Sequence, residues 1–358
     1  MNLKAIRSVA EFKENEQAWR ALYENSQSRT PFLSYDWLLT TLETSKNVVA
    51  IHFMVIEAGG KFLSAFPLLI ENKKYIAVTK MVLRHANYSK SDFCDFLCGE
   101  GISLKGALKL YFKYINELDY DILHVDNINS SSNSMNLFMK SIYNNNLFFG
   151  KYINVTNPVL KYTPNGDIDK KESKKIAKRL ADLSKQYNVE VVIGGEFNKE
   201  IFECLRAFHY SSFPGVGFNT PENQSFYIDM ISRKDFDEGI LDFSYILVDG
   251  KCVACHFGFK DEGKGVLYYY VPSYDSNYNK YGVGKVLLLS MIEHYKEKNY
   301  VLFDFLRGAE AYKTVWATNE YQNISIFGCK EKSGYFNKTI VLTWLAMKSI
   351  QNLFKVRD

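Results

Sequence analysis

No stretch of this 358-residue chain approaches 18 uninterrupted apolar residues, which argues against a helix spanning a membrane. Residues Met1 to Phe12 contain no apolar core of a secretory signal, so a cytoplasmic protein is expected. Neither sign of charge dominates: 44 Lys and Arg against 40 Asp and Glu leave +4, too little to argue for a nucleic-acid partner. Cysteines are few, and Cys252-x-x-Cys255 has no second pair elsewhere. In an extended strand two residues three apart face opposite sides, so no metal site is expected and thiols stay reduced. A Gly-Lys-Ser/Thr phosphate loop is missing, as are the dinucleotide glycine fingerprint and any Ser-His-Asp or Cys-His arrangement. Covalent nucleophilic catalysis is therefore not expected.

What is present is an ordinary globular composition, 47% hydrophobic and 23% charged, on a chain too long for one typical core. The 25 Tyr and 26 Phe suit cores first and ligand clefts second. Turn residues and a shift in composition from Asn157-Pro158 to Asn165-Gly166 place a domain boundary there.

The stretch Tyr278 to Trp316 is the most informative. Three strand-like runs precede it: Asp242 to Val248, Lys251 to Phe259 and Gly265 to Val271. Asp249-Gly250 gives a strong hairpin turn signal between the first two. Then come Gly282-x-Gly284, a helix starting near Lys285, and a strand from Tyr300 to Phe305. Two glycines at a helix start let backbone amides approach a ligand, and the positive end of the helix favours an anion such as a pyrophosphate. The strand delivers Asp304, Arg307, Tyr312 and Lys313 beside that loop.

The order strand, strand, strand, glycine loop, helix, strand resembles the core of the GNAT acyltransferases. Their pyrophosphate loop reads Gln/Arg-x-x-Gly-x-Gly/Ala; here it is Asn279-Lys280-Tyr281-Gly282-Val283-Gly284. CHFGF (255–259), YYYVPSYDSNYNKYGVGKVLL (268–288) and FDFLRGAEAYK (303–313) look like the cellulose-biosynthesis-type acetyltransferase family, related to the Fem-type aminoacyl transferases. That resemblance implies an α/β (α+β) protein of two tandem GNAT-like domains, each a mixed, mostly antiparallel sheet flanked by helices. The domains would be 1–160 (acceptor side), 161–335 (binding acyl-CoA, catalytic) and a C-terminal amphipathic helix, 336–358. It implies acetyl-CoA or another acyl-CoA as co-substrate, with no metal. The acceptor would be an amino sugar or sugar nucleotide of a bacterial envelope polysaccharide. Asn279, Tyr281, Gly282, Val283, Gly284 and Lys285 would bind the cofactor. The alternatives are a Fem-like transferase using aminoacyl-tRNA, the one case with a nucleic-acid partner, and a non-catalytic subunit of polysaccharide-synthesis machinery.

Acyl transfer to an amine needs a base, stabilisation of an oxyanion and a proton for the leaving thiolate. His256 is the leading base: its strand face also carries Ala254 and Gly258, small enough to leave room for a ligand. Asp304 is expected at the centre of a buried strand, either paired with Arg307 or Lys313 or holding the acceptor amine. By likeness to the Fem-type enzymes, Lys313 would stabilise developing negative charge. Tyr88, Asp92, His209, Tyr270, Arg307 and Tyr312 are expected to contact substrate, and Trp37 to be core.

The first half repeats the pattern more faintly. Strand-like runs Val48 to Glu57, Lys61 to Ile70 and Tyr75 to Leu83 lead to a helix, Leu104 to Leu118, and a strand, Tyr120 to Asp126. YDILHVD (120–126) and YVLFDFL (300–306) occupy corresponding places, which reads as a diverged tandem duplication. A helix over Asp169 to Tyr187 has an apolar stripe backed by Lys170, Lys174, Lys178, Arg179 and Lys185, a solvated face or an attractor of an anionic substrate. The helix over Phe336 to Phe354 is expected to pack on its domain, with a peripheral membrane contact at the inner face as the alternative.

Overall fold

The computed structural model describes all residues except 76–77, 87–89, 132, 164–168, 216, 234–235 and 356–358. By contacts the chain divides into two units, residues 1–156 with 321–358, and residues 157–320.

The first unit opens with β1 (Asn2–Ile6), α1 (Val9–Glu14), α2 (Glu16–Glu24) and α3 (Tyr35–Thr44). Three antiparallel strands follow, β2 (Val48–Ala58), β3 (Lys61–Tyr75) and β4 (Val78–His85), then the short β5 (Leu97–Cys98). Next come α4 (Leu104–Glu117), β6 (Ile122–Asn129), α5 (Asn133–Tyr143) and β7 (Leu147–Lys161). Strand β6 pairs parallel to β4, as a helical crossover between neighbouring strands allows. Helices α4 and α5 bury Leu108, Tyr111, Phe112 and Phe138 against Phe66, Leu83 and Leu123. Trp37 is fully buried with its ring edge-on to Phe32 at 5.0 Å, as expected of a core residue.

The second unit runs α6 (Lys170–Ser184), β8 (Val189–Gly195), α7 (Lys199–Ser212) and α8 (Pro221–Ile231). The antiparallel trio β9 (Leu241–Val248), β10 (Lys251–Asp261) and β11 (Val266–Tyr274) follows. It continues through α9 (Val283–Glu297), the parallel strand β12 (Leu302–Asp304) and the single turn α10 (Ala311–Thr314). The hairpin between β9 and β10 turns through Asp249 and Gly250, both at positive φ (49° and 76°), the turn that matches strand twist. Helix α9 buries Val283, Val286, Leu287, Met291 and Ile292, each worth about 1.5–3 kcal/mol when withdrawn from water. The duplicated order is thus the same in both units: three antiparallel strands, a helix, a parallel strand.

The chain ends in β13 (Asn319–Lys330) and α11 (Tyr335–Lys355). These differ from the expected division at 160 and 335. Strand β13 pairs with β6 over Asn323 to Gly328 and lies between β6 and β7, so its backbone bonds belong to the first unit. Helix α11 then places Val341, fully buried, with Phe327, Tyr152 and Tyr75. Sequence distance hides this return, because strand pairing depends on register and not on separation along the chain.

Candidate functional site

Strands β11 and β12 pair only from Val266 to Tyr268 and from Leu302 to Asp304. Beyond that point β11 continues to Tyr274 while the chain after β12 turns away through Leu306, at a left-handed φ of 57°. Opposite this divergence β11 bulges against β10. Phe257 faces Val271 and Phe259 faces Tyr268, so Gly258 alone opposes both Tyr269 and Tyr270.

His256 sits at that bulge, fully buried, and its surroundings correct its assignment as the base. Its Nδ1–H donates to Asp242 at 3.0 Å, and its Nε2 accepts the backbone N–H of Tyr270 at 3.1 Å. A ring nitrogen already accepting an amide proton has no lone pair left for an ammonium. The imidazole stacks on Tyr269 with ring centroids 4.5 Å apart. The room left by Gly258 is taken by His256 itself: a methyl there would lie 2.6 Å from its Nε2. Asp242 is held further by Tyr295 and by Ser244, whose Oγ accepts the Gly194 N–H at 3.0 Å. This network locks the bulge by replacing a ladder bond that the bulge breaks. Asp242 and Tyr295 were not distinguished by the sequence, since neither lies in a recognisable motif.

After β12 the chain closes on itself. Asp304, almost fully buried, accepts the Leu306 N–H at 2.8 Å and so fixes the turn. Lys313 is 6% exposed, with Nζ donating to the Arg307 carbonyl at 2.8 Å and pairing with Glu310 at 2.9 Å. Lys313, one of the two cations expected beside Asp304, is instead spent on this clasp across residues 307–310. Tyr312 is half-buried beside it, and burial pushes its phenol well above the usual range. Asp304, Arg307, Tyr312 and Lys313 are therefore together.

At the β11–α9 junction, Asp275 caps the 3-10 turn from Ser276 to Tyr281 by accepting the Asn277 N–H. Gly282 adopts a left-handed φ of 61°, and its N–H bonds the Asn279 carbonyl at 3.0 Å. Helix α9 begins there with no side-chain cap, whereas Ser34, Ser103, Asn198 and Thr220 cap the starts of α3, α4, α7 and α8. Of the six expected cofactor residues, Tyr281 and Val283 are buried; Tyr281 donates to Gln186 at 2.8 Å and is structural. Asn279 and Lys285 are exposed, and Gly282 and Gly284 lie between. The guanidinium of Arg179, from α6, lies directly against Gly282, and Tyr274 covers Gly284. Arg179 makes no hydrogen bond or ion pair among the described residues. The sequence placed it on a basic face without indicating which of that face's cations meets the loop.

His209 and Tyr270 lie on the α7–α8 side of the sheet, joined by rings. His209 packs on Phe218 (5.4 Å), Phe218 on Tyr227 (4.8 Å), and the Tyr227 and Tyr270 hydroxyls meet at 2.7 Å. Asn219 donates to His209 Nδ1 at 2.6 Å, and burial lowers the imidazole's affinity for a proton. A cavity of about 900 Å³ opens elsewhere in this unit, among Gly195, Phe197, Phe202, Ile231 and Leu241, and holds none of the expected site residues. Asp92 is buried in the first unit, where its carbonyl accepts from Asn323 at 2.7 Å, and Tyr88 lies outside the described residues.

The cysteine pair also departs from expectation. A register shift between Cys252 and Ala254 breaks the strand alternation, so the Cys252 thiol adjoins both Cys255 and Cys204. Burial raises the Cys255 thiol well above its usual range. Among the described residues no group of three or more His, Cys, Asp or Glu is placed to hold a metal ion.

Residues 170–314 match the family described as acetyltransferase (GNAT) domain. The chain has the GNAT fold. It is similar to the crystal structure of FemX, at 10% identity and a TM-score of 0.62, covering 92% of this chain and 97% of that one. It is also similar to L-PGS from Bacillus licheniformis, at 13% identity and a TM-score of 0.54, covering 92% and 96%. A protein of unknown function from Bacteroides thetaiotaomicron gives 14% identity and the same TM-score of 0.54, covering 92% and 99%. No curated protein matches. The GNAT-like match falls on the unit that holds the glycine loop, the bulge and the Lys313 clasp.

Proposed function

We propose that this protein is an acyl-CoA-dependent N-acyltransferase of the cellulose-biosynthesis type, with the donor bound by the second unit. The observation that carries the reading is the start of α9. The positive end of an uncapped helix and the unpaired cation of Arg179 meet at Gly282. Two positive groups in contact repel unless an anion lies between them, and a pyrophosphate supplies both the charge and acceptors for the Val283 and Gly284 amides. The diverging edge of β11 beyond Tyr268 offers backbone groups to the pantetheine arm.

The acceptor in this reading is an amino sugar or sugar nucleotide of an envelope polysaccharide, approaching Tyr270, Tyr227 and His209. Its amine attacks the thioester carbonyl directly; the C–S bond breaks, the amine loses a proton and the thiolate of CoA gains one. Lys313 contributes by holding the 307–310 loop, with Arg307 on it and Tyr312 in the turn that follows, in place for the acceptor. The substrate class rests on likeness of the 255–259, 268–288 and 303–313 segments to that family.

Isothermal titration of the protein with acetyl-CoA tests the donor, followed by assay of thiol release with a panel of amino-sugar nucleotides. Micromolar binding that is weakened in Arg179→Glu supports the reading. Absence of CoA binding at millimolar concentration, with binding of an aminoacyl-tRNA instead, would transfer the site to the Fem-like alternative.

A further inference from the structure

Three cysteines of the second unit meet where helix α7 lies on strand β10. Phe202 of α7 packs edge-on against Phe257 of β10, with ring centroids 5.8 Å apart. Cys255 is two residues from Phe257 along the strand, so it shares that face, and it is buried. The bulge at Val253 turns Cys252 to the same face, where its thiol adjoins both Cys255 and Cys204 of α7. Cys204 and Cys252 are both partly exposed, and all three thiols are free. None of them has a part in the proposed acyl transfer.

Their acidities are unequal. Hydrogen bonding from Cys255, joined by Cys204, holds the Cys252 thiol below its ordinary range against the opposing effect of burial. Burial pushes Cys204 up to about 11, and it raises Cys98, Cys255 and Cys329 as well. The thiolate is the form that attacks an oxidant, so Cys252 is the favoured nucleophile of the group. It is also the one with a thiol beside it on a different element.

We propose that Cys252 and Cys204 are the site of a reversible disulfide, formed when the protein meets a hydroperoxide. With hydrogen peroxide, the Cys252 sulfur attacks one oxygen and the O–O bond breaks. Cys252 becomes a sulfenic acid, and the departing hydroxide leaves as water with the thiol's proton. The Cys204 sulfur then attacks the Cys252 sulfur, the S–S bond forms, and the sulfenic hydroxyl leaves as a second water with the Cys204 proton. Two thiols lose two electrons and one peroxide becomes two waters. Cys255 is the poorer partner for Cys252. Three residues of extended strand span roughly 10 Å, little shortened by the bulge, whereas bridged Cα atoms lie within about 7 Å. Cys255 is therefore a positioning residue that favours the Cys252 thiolate. The proposal is independent of the acyl donor and acceptor.

The reduced full chain, treated with hydrogen peroxide under native conditions, tests this by intact mass and non-reducing peptide mapping. The expected result is a loss of about 2 Da that dithiothreitol reverses, with the peptides holding Cys204 and Cys252 joined. Cys252→Ser should abolish the loss. Cys204→Ser should instead gain about 16 Da, trapped by dimedone on Cys252. Cys255→Ala should keep the bridge but form it several-fold more slowly, a change of rate that a merely space-filling Cys255 would not give. A parent chain whose thiols stay free or pass directly to higher oxides overturns the proposal. So does a bridge that survives Cys204→Ser, that disappears in Cys255→Ala, or that maps to Cys94, Cys98 or Cys329.

Discussion

His256 and Asp242 are joined by a 3.0 Å hydrogen bond between two fully buried side chains, on adjacent strands of the second unit. The other imidazole nitrogen is engaged by the Tyr270 amide, so the pair holds a β-bulge in place and offers nothing to a substrate proton. The histidine in the CHFGF segment is therefore a positioning residue for β11. His256→Ala should destabilise the protein by about 3 kcal/mol, from a cavity and an orphaned amide. Thermal melts and acyl-transfer assays at a temperature where the variant is folded separate the roles. A turnover reduced by several orders of magnitude in the folded variant would restore His256 as the base.

Arg179→Glu should weaken acetyl-CoA binding about a hundredfold, since it replaces a cation by an anion at the positive end of α9. Arg179→Ala should give about tenfold. Because the guanidinium has no protein partner among the described residues, the ligand-free melting temperature should change little. Titration calorimetry and a ligand-free melt, measured on the same preparations, check both halves of the expectation.

Lys313→Met should affect both stability and turnover. The ammonium bonds the Arg307 carbonyl and Glu310 from a nearly buried position, and its loss leaves that carbonyl without its donor. A cost of about 1–3 kcal/mol is expected, with turnover lost through disorder of the 307–310 loop. Amide hydrogen exchange confined to residues 305–315 is the direct readout. Faster exchange there with an unchanged remainder agrees with the clasp; unchanged exchange with lost turnover points to direct contact with the reaction.

Acid stability should be governed by a buried cluster in the first unit. Arg84 bonds Glu71 at 2.8 Å and Asp126 at 2.7 Å, and His124 contacts Asp126 at 2.8 Å. Burial works against ionisation of Asp126, but His124 and Arg84 outweigh it and hold the carboxyl well below its ordinary range. A depressed carboxylate contributes stability that is complete above about pH 4 and is lost as pH falls further. Burial also lowers the proton affinity of His124, so that contribution declines as pH drops below about 6.5. Both act in the same direction. Arg84→Met should cost about 3–5 kcal/mol and move the acid-unfolding midpoint upward, as followed by circular dichroism.

Much of the element order could be read along the chain. The strands beginning at Val48, Lys61, Lys251 and Val266 and the helices at Leu104, Lys170 and Val283 follow from alternation, helical periodicity and turn residues. Asp249-Gly250 specifies its hairpin by conformational preference alone. The site was less legible. Asp304 and Lys313 were recognised as neighbours, but not that Lys313 would choose Glu310 and a carbonyl over the carboxylate. His256 was recognised as unusual, but its partner Asp242 is 14 residues away on the next strand, where only register could bring it. The bulges at Val253 in β10 and at Tyr269–Tyr270 in β11 reversed local alternation, and no residue type announces such a shift.

The sequence by itself determined the local elements, the duplicated order and the glycine loop, because backbone preference and apolar period act over a few residues. Tertiary structure alone decided that β13 and α11 return to the first unit, that Arg179 is the cation facing Gly282, and that His256 is spent on Tyr270 and Asp242. Those outcomes depend on strand register and on packing between distant segments, which satisfy backbone and charge only once the whole fold is formed.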